Sequence, residues 1–108
     1  MGETLGEFEQ LVMLAVLRLD EDAYGTSIRE ELKIRAERDV SPGAIFTTLE
    51  RLESRGLVIS HYGEPTPERG GRRKRFYHLS ADGRRALARS LRTVKRMARG
   101  LEPKLEQS

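Results

Sequence analysis

Three observations in the 108-residue sequence predict a mainly helical α+β fold. Apolar residues recur at three- and four-residue steps in four separate stretches, two short segments rich in β-branched or aromatic residues follow the third stretch, and the loop between those segments is strongly basic. Helix, helix, helix, strand, basic loop, strand, helix is the order of a winged helix-turn-helix. The last helix is then left over for dimerisation.

The first helix is predicted over about residues 5–19. Phe8, Leu11, Val12, Ala15, Val16 and Leu19 recur at helical spacing, while Met13, Leu14 and Leu17 fill other sides. Apolar residues on nearly every side imply burial on more than one face. A peripheral helix in a small domain gives one face to its own core, so the second face predicts contact with another subunit. Packing wholly within one protomer is the competing reading. Asp20, Glu21 and Asp22 break the pattern as a polar loop. Tyr24-Gly25 then leads into a second helix over about residues 26–38, with Ile28, Leu32 and the stem of Arg35 on one face.

Ser41-Pro42 is the strongest local start signal in the chain, because serine is a favoured N-cap and proline at the first helical position gives up only an unpaired N–H. Gly56 marks the other end as a left-handed cap, with Leu57 able to close the accompanying apolar contact. The third helix is therefore predicted over about residues 42–55. Ile45, Leu49 and Leu52 cluster within about sixty degrees on its wheel and define the buried side. Gly43, Ala44, Thr47, Arg51 and Ser54 face the other way, with Thr48 on the flank. Short side chains at the N-terminal end let such a helix approach a base edge closely. Threonine suits a thymine methyl or an acceptor, and arginine suits guanine or a phosphate.

Residues 57–62 and 74–79 read as two strands of a wing spanning about residues 57–79. Pro65 and Pro67 keep its tip from extending the sheet, and Gly70-Gly71 allow the positive φ values of a tight tip. Arg69, Arg72, Arg73, Lys74 and Arg75 repel one another unless a polyanion neutralises them. A solvated charge run is the alternative, but Phe76, Tyr77 and Leu79 tie this one to a core. Ser80 caps a last helix over about residues 81–99, expected to fray at Gly100 and stop before Pro103. Leu87, Leu91, Val94, Ala98 and Leu101 follow the spacing of a coiled-coil seam. That stripe needs a partner, or else folds back onto the first helix. The predicted organisation is a winged helix-turn-helix over residues 1–80, a dimerisation helix over 81–101 and a tail over 102–108.

The net charge is only +3, but it is unevenly distributed. Up to residue 68 there are 7 Lys/Arg against 14 Asp/Glu, and from residue 69 onward 13 against 3. This asymmetry predicts one surface facing nucleic acid on a molecule whose other surfaces avoid it. The chain has no cysteine and no tryptophan, which excludes disulfides and thiolate metal sites and fits a reducing cytoplasm. Its longest apolar run, residues 11–17, is too short to cross a bilayer. The acidic start is wrong for a secretory signal. No membrane partner is expected. His61 and His78 lie on the two predicted strands without a third ligand nearby, and no nucleophile and base are paired. The expectation is a protein that is not an enzyme and carries neither metal nor cofactor.

Four segments together are similar to regulators of the PadR family: Leu5-Gly-Glu-Phe-Glu-Gln-Leu-Val, Asp22-Ala-Tyr-Gly, Ser41-Pro-Gly-Ala-Ile-Phe-Thr-Thr-Leu-Glu-Arg-Leu-Glu-Ser-Arg-Gly-Leu-Val and Arg73-Lys-Arg-Phe-Tyr-His-Leu-Ser-Ala-Asp-Gly. The resemblance covers most of residues 5–83 and looks like the short subgroup with a single C-terminal helix. It implies a homodimeric repressor that binds an inverted repeat in double-stranded DNA and is released by a small-molecule effector. Carried over by position, Ser41, Gly43, Ala44, Thr47, Thr48 and Arg51 face the groove, and Arg69, Arg72, Arg73, Lys74 and Arg75 belong to the wing. Dimer contacts fall to Phe8, Leu11, Val12, Leu87, Leu91, Val94, Ala98 and Leu101, and Phe8 and Met13 are candidates to line an effector pocket. Many relatives have Tyr-Pro where this chain has Phe46-Thr47, so a tyrosine hydroxyl contact is lost and a threonine donor is gained. The alternative is a winged-helix module that binds protein or structured RNA, which would more often expose large apolar anchors on the third helix. None is expected there.

Overall fold

The computed structural model describes residues 4–64 and 73–106. Helix α1 (Glu7–Leu19) ends in a single 3₁₀ turn (Asp20–Asp22), and α2 (Gly25–Arg35) and α3 (Pro42–Ser54) follow. Strands β1 (Val58–Tyr62) and β2 (Arg75–Leu79) pair antiparallel, and α4 (Ala81–Ala98) and a short α5 (Glu102–Glu106) close the chain.

The local signals account for the boundaries. The Ser41 Oγ accepts the Ala44 N–H at 3.1 Å at the start of α3, and the Ser80 Oγ accepts the Gly83 N–H at 2.9 Å at the start of α4. Gly56, at φ 76°, ends the turn after α3, where an L side chain would be strained. Helix α2 stops at Arg35, earlier than expected, and Glu37 at φ 55° reverses the chain beyond it. The C-terminal segment also departs from expectation. Residues 102–106 form α5 rather than a tail, with Pro103 in the first turn, where its missing N–H is not needed.

Alternation along the hairpin sorts its side chains. Val58 pairs with Leu79, Ser60 with Tyr77 and Tyr62 with Arg75, so these six share one face. Val58, Tyr77 and Leu79 are buried on that face. Residues 23–24 add a rudimentary third strand. Tyr24 bridges Phe76, the Tyr77 N–H donates to the Ala23 carbonyl at 2.9 Å, and the Tyr24 and Phe76 rings meet edge to face at 5.6 Å. The hairpin is thereby fixed to the start of α2.

The core joins Val12, Met13, Val16, Ile28, Leu32, Ile45, Leu49, Leu52, Val58 and Leu87. Three sequence assignments change as a result. Val12 and Leu87, expected at a dimer face, are sealed within the protomer, and Leu87 is only 2% exposed. Met13, expected to line an effector pocket, is likewise fully buried. A residue without accessible surface in its own protomer has none to give a partner or ligand. Phe8 and Leu11 are half-buried against the core, whereas Leu91, Val94 and Leu101 are exposed and Ala98 is half-exposed. The distal part of α4 projects from the body, and the chain with α4 included measures 55 × 32 × 21 Å. Among the described residues, no helix is long and apolar enough to cross a membrane.

Candidate nucleic-acid interface

The N-terminal turns of α3 form a low, open surface. Gly43 and Thr47 are exposed one turn apart, and Ala44 is half-buried beside them. A Cβ added at Gly43 would meet only the Ser41 Oγ, at 3.9 Å. Ser41 is exposed, and its Oγ accepts the Ala44 N–H as a cap, which leaves the hydroxyl proton free to donate.

Two residues assigned to this face lie elsewhere. Thr48 is 3% exposed, because α3 packs against α1, α2 and β1 and buries a wider arc than its leucine and isoleucine stripe implied. Arg51 is exposed but turned toward α1, where its Nε donates to the Glu9 Oε2 at 3.3 Å. An Arg55 guanidinium nitrogen lies 3.4 Å from the same oxygen, and the other Glu9 oxygen accepts the Gly6 N–H at 2.9 Å. Glu9 therefore anchors α3 to α1. Sequence reasoning missed it because Arg51 and Arg55 reach Glu9 only through the fold.

Phe46 was also missed. It is 48% exposed, which overturns the expectation that α3 presents no large apolar anchor. With Gly25, Thr26, Pro42 and Leu49 it lines a cleft of about 170 Å³ between α2 and α3. The signal was its place on the wheel, about 100° from Ile45 and off the apolar stripe.

At the base of the wing, Arg73 and Lys74 are exposed. The Lys74 Nζ lies 4.1 Å from the centroid of the Tyr24 ring. Tyr24 is the N-cap of α2, so a cation stands beside the positive end of that helix. Arg75 is a correction. Its Nε donates to the Ser60 Oγ at 3.0 Å and a terminal nitrogen donates to the Glu53 Oε1 at 2.8 Å, while the Ser60 hydroxyl donates to the Glu53 Oε2 at 2.8 Å. Its charge is neutralised on the inner face of the hairpin, and the contact ties β2 to the end of α3. Arg69 and Arg72 lie outside the described residues. The rings of His61 and His78 are 6.0 Å apart, and no set of three His, Cys, Asp or Glu among the described residues is placed to hold a metal.

Residues 13–89 match the model of the transcriptional regulator PadR-like family. This chain belongs to the PadR family of transcriptional regulators. The transcriptional regulator Rv3488 of Mycobacterium tuberculosis is 35% identical over 80 residues, spanning 74% of this chain and 70% of that protein. Among solved structures, a PadR family transcription regulator from Clostridium difficile R20291 superposes with a TM-score of 0.71 at 24% identity, covering 91% of this chain and 98% of that one. A PadR family regulator from Eggerthella lenta DSM 2243 gives 0.68 at 25% identity, covering 94% and 88%. These PadR structures share the arrangement of helices and hairpin described above.

Proposed function

We propose that this PadR-family regulator is a homodimer that binds an inverted repeat in operator DNA and represses by excluding polymerase. The observation that carries this reading is the open N-terminal face of α3, with Gly43 and Thr47 exposed beside the N-terminus of α2 and the cations Arg73 and Lys74. Short side chains admit the helix to the major groove, and the cations meet phosphates on either side. Exposed Leu91, Val94 and Met97 on α4, with Leu101 just beyond its end, supply the two-fold contact. Two recognition helices then enter successive major grooves about 34 Å apart. Thr47 reads a thymine methyl or an acceptor, and Phe46 adds apolar contact with a methyl. Residues 1–80 act as the DNA-binding unit and α4 as the dimerisation helix.

A small-molecule effector would release the dimer by favouring a spacing of the helices that no longer fits the grooves. With Met13 in the core, such a ligand takes its contacts from Phe8 and from surfaces completed by the partner protomer.

The half-exposed Phe46 favours one other reading, a module that docks protein or structured RNA through the cleft between α2 and α3. Fluorescence anisotropy separates the two. With the duplex upstream of the protein's own gene and a scrambled control, titrated across a salt series, operator binding predicts tight, competitor-resistant association with the first duplex only. Equal, weak binding to both, lost at physiological salt, overturns the operator reading.

A further inference from the structure

Helix α4 carries a second charged surface that the winged helix-turn-helix does not use. Arg84, Arg85, Arg89, Arg92, Lys95, Arg96 and Arg99 fall within an arc of about 140° at ~100° per residue, centred about 120° from the arc of Leu87, Leu91, Val94 and Ala98. No Asp or Glu occurs between Asp82 and Glu102. Arg85 pairs with Asp82. The other six make no ion pair with any described residue.

A helix face that serves only solubility mixes charges of both signs, because like charges three and four residues apart destabilise the helix. This face does the opposite. Arg85, Arg89, Arg92, Arg96 and Arg99 form one stripe with a mean step of about 5 Å, roughly 21 Å long. Six of the seven cations are arginines, the side chain that grips phosphate oxygens bidentately. The stripe is continuous with α3: an open cleft of about 560 Å³ is lined by Ser54 and Arg55 at the end of α3 and by Arg85 and Arg89 of α4.

We propose that the outer face of α4 is an auxiliary phosphate track for duplex DNA, continuing from the C-terminal end of α3 along the projecting helix. The inference rests on the DNA-binding reading above and assigns that partner a second contact surface. It is compatible with dimerisation, since the stripe of Arg85, Arg89, Arg92, Arg96 and Arg99 is centred about 150° from the apolar seam at ~100° per residue. An anionic membrane would instead draw that seam into lipid, away from a partner helix.

The test uses the full chain with Arg89, Arg92 and Arg96 all replaced by Gln, and a companion with all three replaced by Lys. Binding is measured against salt on the upstream duplex, on the same duplex extended at both ends, and on a scrambled duplex of each length. If the three arginines meet phosphates, the Gln variant loses about 0.9 from the salt slope for each contact, roughly 2.7 in all. It binds at least tenfold more weakly at low salt while keeping its ratio of operator to scrambled affinity, and the Lys variant retains most of the slope. An unchanged slope on every duplex overturns the proposal. So does tighter arginine-dependent binding to phosphatidylglycerol vesicles than to DNA. If the wild type binds operator and scrambled DNA equally, the operator reading fails, but a slope that still depends on these arginines upholds the track.

Discussion

Gly83→Ala should destabilise this protein strongly, against the direction that helix propensity alone predicts. Gly83 is buried in the first turn of α4, where a Cβ would lie 2.0 Å from the Leu57 carbonyl oxygen and 2.9 Å from its carbon. These are backbone atoms, so no rotamer change relieves the overlap, and α4 must lift by about 1 Å or more to restore ordinary contact. The same oxygen accepts the Ser80 N–H at 3.0 Å. Losing that bond costs about 1 kcal/mol, and forcing α4 away from the core costs about 1–3 kcal/mol. Alanine returns at most ~1 kcal/mol of helix propensity. The net loss is therefore about 1–4 kcal/mol, a sizeable fraction of the ~5–15 kcal/mol typical of a domain, which lowers Tm by on the order of 10 °C. Urea unfolding followed by far-ultraviolet circular dichroism, at two protein concentrations to separate dissociation from unfolding, measures it. Gly25→Ala is the control, because its Cβ meets nothing within 4 Å. It should be neutral or gain up to ~1 kcal/mol. A Gly83→Ala protein as stable as wild type would refute the close approach of α4 to Leu57.

Two further outcomes follow from burial and exposure. Burial raises the Tyr77 pKa above 10.0, with Arg75 opposing and Glu53, Tyr62 and Glu50 reinforcing the shift. The native state holds the phenolic proton more tightly than the unfolded chain, so this contribution is complete below pH 10 and is lost as pH rises through the native value. Tyr77→Phe should remove part of the alkaline fall in stability, and ultraviolet titration should lose its highest phenolate transition; an unchanged titration would count against the burial of this ring. On α4, Leu91 and Val94 are exposed, at 37% and 59%. Leu91→Glu with Val94→Glu should leave the helical spectrum intact and give a light-scattering mass near the 12.3 kDa of one chain. A variant that remains dimeric would remove α4 as the dimer seam.

The element order was legible because its boundaries are written in local chemistry. Ser41-Pro42, Gly56 and Ser80 each act through hydrogen bonds or backbone angles within a few residues. What an apolar residue packs against is not local. Val12 and Leu91 look alike on a helical wheel, yet one is sealed in the core and the other faces solvent, because only the assembled fold decides where the core ends. Arg75 is a middle case. It alternates with Tyr77 and Leu79, so period-two reasoning places it on the inner face, but its neighbours in a basic run masked that signal. Thr48 and Arg51 depended on how much of α3 its neighbours cover and on Glu9 of α1, and neither could be read from α3 alone. The face proposed for DNA is then Ser41, Gly43, Ala44 and Thr47, with Phe46 added.

The junction between α3 and α4 bears on how a dimer of this kind could be switched. The Ser80 hydroxyl donates to the Gly56 carbonyl at 2.6 Å and accepts the Gly83 N–H, while the Ser80 N–H donates to the Leu57 carbonyl. Gly83 lets the first turn of α4 rest directly on Leu57. The end of α3 is thus joined to the start of the projecting helix by close contacts at Gly56 and Leu57, with little slack between them. If two protomers pair through α4, a change in the angle of that pairing carries α3 with it as a rigid arm. A rotation of 10° acting over about 20 Å, close to the length of α3 (13 residues at about 1.5 Å each), displaces its far end by about 3.5 Å, comparable with one base-pair step. Release from DNA then requires no unfolding of the winged helix, only a ligand that prefers one pairing angle over another.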